Sequence, residues 1–161
     1  MKKLIRSLPL VAALALTLAA PAFAIEEVNV SRGATLAGPG LAAHGHDVVA
    51  YFTAGAPTLG SDKFALAHNG AAYRFASQAN LDAFKANPAK YEPAYGGFCA
   101  YGVALGKKFD GDPRYWKIVD GRLYLNLNGD IQAEWSKDVP GNLSKSEANW
   151  TKIRDVAVGK L

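Results

Sequence analysis

The sequence predicts an α+β fold with two β-hairpins in a small antiparallel sheet and about three helices. Three observations predict it. Two alternating apolar stretches fold back on themselves around Asn69-Gly70 and around Asp120-Gly121, pairs that supply the two positive φ values a type I′ hairpin turn requires. Each hairpin is followed by a residue able to cap a helix, Ser77 after the first and Asn128 or Asp130 after the second. The apolar residues beyond those caps recur at helical spacing, Leu81 with Phe84 and Ile131 with Trp135.

The chain has 161 residues and starts with an export pattern. Lys2, Lys3 and Arg6 precede an apolar run from Leu8 to Ala20, and Ala22-Phe23-Ala24 is a small-x-small cleavage site. The run is short for a membrane span, which needs about 20 residues. No twin-arginine pair is present, and no cysteine follows the cleavage site to carry a lipid. Residues 1–24 are therefore expected to be a cleaved Sec-type signal peptide that delivers a periplasmic or secreted protein, with no membrane attachment afterwards. Residues 25–43 are expected to be an N-terminal arm with one short strand at Val28 to Val30, and residues 44–161 a single domain.

Removing the signal changes the charge. Three of the 18 Lys and Arg leave with it, so 15 basic face 14 acidic residues and the net is +1 with His neutral. A near-neutral chain offers no electrostatic footprint for nucleic acid. The only methionine, Met1, is also removed, which excludes a methionine-rich copper carrier. One cysteine excludes an intramolecular disulfide.

Along the chain, Val48-Val49-Ala50-Tyr51-Phe52 reads as a buried strand. The first hairpin occupies Lys63 to Ser77, and a helix runs from Ser77 to about Asn87, where Asn87-Pro88 stops it. The second hairpin pairs Trp116 to Val119 with Arg122 to Leu127. A helix then reaches about Asp138, and Pro140-Gly141 breaks the chain. Ser144 starts a last helix, with Glu147 completing a capping box. No internal repeat is evident.

The only cysteine, Cys99, stands in Tyr95-Gly96-Gly97-Phe98-Cys99-Ala100-Tyr101-Gly102, whose glycines permit tight turns and close approach. It reads as a small buried hydrophobe, a metal ligand or a reactive thiol. His44 and His46 flank Gly45, so in an extended segment both imidazoles face one side. With Cys99 they would form a set suited to copper or zinc, and Asp47 could orient one ring. The alternative is a solvated polar loop. His68 is expected to be exposed, Lys107-Lys108 to be a solvated pair, and Trp116, Trp135 and Trp150 to be core anchors. No Ser-His-Asp elbow, phosphate loop or zinc-protease motif is present. No base is placed beside Cys99, so no enzyme is expected.

The block from Phe64 to Tyr91 resembles the YHS domain through Asn69-Gly70, Tyr73, Phe75, Ser77, Phe84, Pro88 and Tyr91. The stretch from Gly96 to Ala104, with Ile118 to Asn126, is similar to exported, extended bacterial members, so residues 44–161 resemble an extended YHS-like domain. The resemblance implies the fold and, for metal-handling members, thiolates at positions that here read Ala50, Ala76 and Asn80. That family ligand set is absent. Two functional expectations follow. One is an exported binding protein that handles a transition metal such as copper or zinc through Cys99, His44 and His46. The other is a non-catalytic interaction or small-ligand module that has lost the metal cysteines. The sequence names no protein partner.

Overall fold

The computed structural model describes residues 27–30 and 40–161. The expected signal peptide lies outside the described residues, as does most of the arm. Within them the fold is α+β: two antiparallel two-stranded sheets and six helices. Among the described residues no helix is long and apolar enough to cross a membrane.

The first hairpin pairs β1 (Ser61–His68) with β2 (Ala71–Phe75). Asn69 and Gly70 have φ values of 47° and 78°, as the turn requires. The one-turn helix α1 (Ala50–Thr53) precedes it, where the sequence reads as a strand. The correction has a local cause. The Asp47 carboxylate accepts from the Val49 and Ala50 amides at 2.9 and 3.2 Å, and satisfying the orphan donors of a first turn outweighs β propensity. Helix α2 (Gln78–Ala86) starts at the expected Ser77 cap, whose side chain accepts from the Asn80 amide. Asn87-Pro88 does end it, but Pro88 also opens a new turn, α3 (Pro88–Tyr91), because proline fits the first helical position.

Helix α4 (Ala100–Ala104) follows Cys99, and the second hairpin pairs β3 (Asp112–Val119) with β4 (Arg122–Asn126) around Asp120 and Gly121, at φ 49° and 74°. Helix α5 (Gly129–Ser136) is capped by Asn128, whose side chain accepts from the Ile131 amide at 2.9 Å. Helix α6 (Val139–Ile153) begins before the expected break. Asp138 caps it through the Gly141 amide, and Pro140 sits in the first turn, where a missing N–H costs no helical hydrogen bond. Ser144 is accordingly inside the helix rather than its cap.

The structure also overturns the expected absence of a repeat. The two hairpins share one register, offset by 51 residues: Ser61 pairs with Phe75 as Asp112 does with Asn126, and Ala65 with Arg74 as Trp116 does with Leu125. Both ladders slip at the same place, between Ser61 and Ala65 and between Asp112 and Trp116. The caps Ser77 and Asn128 keep that spacing. So do the fully buried Phe84 and Trp135, each packed on a strand tyrosine, Tyr73 and Tyr124, at ring separations of 4.8 and 5.9 Å. Upstream, Ala43-His44-Gly45 and Tyr95-Gly96-Gly97 each hold three successive left-handed residues, now 52 apart. The Asp47 amide donates to the Thr58 carbonyl as the Cys99 amide does to Phe109. The domain is one unit built twice, with one extra residue in the first copy between Asp47 and Thr58.

Each half has its own hydrophobic cluster, and β4 serves both. Leu123 and Leu125 face the first cluster and Tyr124 the second, as strand alternation dictates. Helix α6 belongs only to the second half and packs on α4. Ser146 Oγ donates to the Ala100 carbonyl at 3.0 Å, and Asn149 Nδ2 donates to the Val103 and Ala104 carbonyls at 3.1 and 3.0 Å.

Candidate functional site

Asp47 is fully buried. Besides the Val49 and Ala50 amides it accepts from the Ala76 amide at 2.8 Å and from Asn80 Nδ2 at 2.6 Å. The three positions where the resemblance puts thiolates, Ala50, Ala76 and Asn80, are thus gathered around one carboxylate. Hydrogen-bond donors from all three converge on it and tie α1, the end of β2 and α2 together.

Cys99 stands at the corresponding place in the second half. Its sulfur is fully buried, caps α4 by accepting from the Gly102 amide at 3.4 Å, and lies 3.7 Å from Asn126 Oδ1. Burial pushes the thiol above its ordinary range, while backbone N–H groups of Gly102, Leu127 and Tyr101 oppose that shift.

The histidines go elsewhere. Because Ala43, His44 and Gly45 are left-handed rather than extended, the two imidazoles do not line up on one strand face. His44 Nε2 meets Asp110 Oδ1 at 2.9 Å, and Asn29 Nδ2 donates to the same oxygen at 2.6 Å. His46 turns inward, its Nδ1 buried without a partner among the described residues, and burial lowers its pKa. Among the described residues no group of three or more His, Cys, Asp or Glu side chains is arranged to hold a metal ion.

Two smaller expectations also change. His68 is half-buried, with Nε2 at 3.0 Å from Glu92 Oε1 and its ring edge-on to Phe84. Lys108 is buried rather than solvated. Its ammonium donates to the Arg154 and Val156 carbonyls at 2.6 and 2.8 Å, closing the C-terminus of α6, over the rings of Phe98 and Trp150.

The glycines beside Cys99 serve the N-terminal arm. A Cβ on Gly96 would overlap the Glu27 carbonyl oxygen, so only glycine lets residues 27–29 lie there. The Asn29 amide donates to the Gly96 carbonyl at 2.8 Å and Asn29 Nδ2 to Gly97 at 3.2 Å.

A cleft of about 290 Å3 opens where the arm, the two halves and α6 meet. Asn69 and Tyr73 line it from the first hairpin, Arg122 from the second, Glu92 from the connection and Trp150 from α6, with Glu27 at the arm. Glu92 Oε1 accepts from Asn69 Nδ2 at 3.0 Å and meets His68, which fixes the carboxylate at one end. Arg122 is held by Glu147 at 3.3 Å, and Glu147 also accepts from the Tyr95 hydroxyl at 3.0 Å. Burial, and then the Glu92 charge, push Tyr73 above the ordinary phenol range, so it stays a neutral hydroxyl. The cleft therefore presents an acid from the connection and a base from the second hairpin, with the rings of Tyr73 and Trp150 in its lining. Sequence reasoning missed it because its residues come from five separate segments. The one signal that could have found it is the 51-residue spacing of the two turns.

No protein-family model, curated protein or solved structure matches the chain.

Proposed function

We propose that the protein is an exported, non-catalytic binding module of YHS type, which has lost the metal cysteines and takes a small polar ligand in the cleft between its halves. The cleft carries this reading. Ligand sites favour junctions between structural units and combine apolar walls with a few fixed polar groups. Here a carboxylate held by Asn69 and His68 and a guanidinium held by Glu147 flank Tyr73 and Trp150. That pairing suits a molecule bearing both an amine and an acid, on the scale of a free amino acid. The gathering of Ala50, Ala76 and Asn80 around Asp47 supports the loss of the metal role, because four donors already satisfy the carboxylate that stands there.

Titration calorimetry of the mature protein with the free amino acids tests the reading. At least one should bind with one-to-one stoichiometry, and Arg122→Ala and Glu92→Gln should each weaken it about tenfold or more. No heat across the whole set, or binding that survives both substitutions unchanged, would refute it.

A further inference from the structure

Three charged residues line the cleft: Glu27 from the arm, Glu92 from the connection and Arg122 from the second hairpin. Two negative charges thus face one positive. The partners of these groups do not restore the balance. Glu147 pairs with Arg122 at 3.3 Å and adds a third carboxylate. His68 meets Glu92 at 3.0 Å, and even with its ring protonated three carboxylates face two cations. Each lining group also keeps capacity for a ligand. Both contacts of Glu92 fall on Oε1, and Oε2 has no partner among the described residues. Glu27 is exposed and makes no ion pair among the described residues. Arg122 gives Glu147 one nitrogen, Nη1, of a guanidinium that carries five N–H donors.

A ligand with one amine and one carboxylate answers Arg122 and one lining carboxylate, and leaves the other without a counter-charge. We propose that the cleft selects a basic amino acid, a lysine- or arginine-like molecule, and that Glu27 on the arm sets this choice. The proposal rests on the reading of the cleft as an amino-acid site and adds its specificity. The α-carboxylate of the ligand goes to Arg122, and its two cationic groups go to Glu92 and Glu27. The size fits one such molecule. The cleft, about 290 Å3, lies at the lower end of the range for ligand sites, about 300–1,000 Å3. Gly96 serves the same choice, because a Cβ there would displace the Glu27 carbonyl and with it the arm that carries the carboxylate. The Asn29 amide, donating to the Gly96 carbonyl at 2.8 Å, holds the arm in that place.

Titration calorimetry of the mature protein at about 20 mM ionic strength, where exposed charges are little screened, tests the choice. The probes are lysine, arginine, norleucine and glutamate; norleucine keeps the lysine chain without its terminal amine. Lysine or arginine should bind about tenfold or more tightly than norleucine, the scale of one charge-assisted hydrogen bond. Glu27→Gln, an exposed substitution with little bearing on folding, should bring the basic ligand down to the affinity of norleucine. Norleucine or glutamate binding as tightly as lysine and arginine would overturn the proposal and leave the cleft reading standing. A preference for the basic ligand that Glu27→Gln leaves intact would do the same. Silence from all four probes would also overturn the choice of a basic ligand, and silence extending to the full set of amino acids would overturn the cleft reading with it.

Discussion

The two halves of the domain share a backbone and differ at its hub. Both carry the same left-handed triplet, hairpin register, turn and helix cap. Yet the first is tied together by a buried carboxylate and the second by a buried thiol. His46 of the first half stands where the second has Phe98, and only the second carries α6 to cover its α4. The difference shows which features set this fold. Turns with two positive φ values and side-chain caps are constraints that few residue types satisfy, so they persist across the copies. The hub receives backbone amides, which any sequence supplies, so its side chain is free to differ.

The comparison is broken most severely by removing the hubs one at a time. Asp47→Ala removes the shared side-chain acceptor of the Val49, Ala50 and Ala76 amides and of the Asn80 side chain, and should cost on the order of 3–5 kcal/mol. Cys99→Ala removes one small sulfur group and should cost about 1–2 kcal/mol. Equal losses in chemical denaturation would mean that the halves do not differ in the way their hydrogen bonds indicate.

The turns should behave alike. Gly70 and Gly121 have φ values of 78° and 74°, and open space surrounds both Cβ positions. Valine at either therefore meets only backbone strain and should cost about 1–3 kcal/mol. Matching losses sharpen the equivalence, and a loss at one turn alone breaks it.

The smallest effect separates His46 from Phe98. Burial lowers the His46 pKa below 6.5 in the folded protein, so the unfolded chain takes the proton first as pH falls. The stabilisation from a neutral His46 is full above about pH 6.5 and is lost as pH falls through the folded value. His46→Phe, which gives the first half the residue of the second, should flatten the decline in stability between about pH 7 and pH 5. An unchanged slope would show that His46 is not its source.

Much of this fold is legible from local chemistry. Asn69-Gly70, Asp120-Gly121, Ser77 and Asn128 each announce a turn or cap, and the structure places them so. The segment 48–52 misleads because its valines favour a strand, while the carboxylate that bends it into α1 is itself satisfied by Ala76 and Asn80, some 30 residues away. Pro140-Gly141 misleads because a proline that breaks a helix interior also starts one, and only the reach of Asp138 distinguishes the two. The repeat escapes notice because the paired residues share roles more than identities: Phe84 with Trp135, Ser77 with Asn128, Asp47 with Cys99. The metal set drawn from Cys99, His44 and His46 rested on an extended segment, and three left-handed residues remove that premise. The cleft is invisible in sequence because no two of its charged groups come from the same element.

The central claim is that the binding site belongs to the junction and not to either half. Backbone amide shifts in the NMR spectrum, followed during addition of the amino acid that calorimetry finds to bind best, test it most directly. The account predicts that the perturbed amides include Asn69 and Tyr73 of the first half, Glu92 and Gly96 of the connection, and Arg122 of the second. Perturbations confined to one half, or centred on Cys99 and His44 instead, would contradict it.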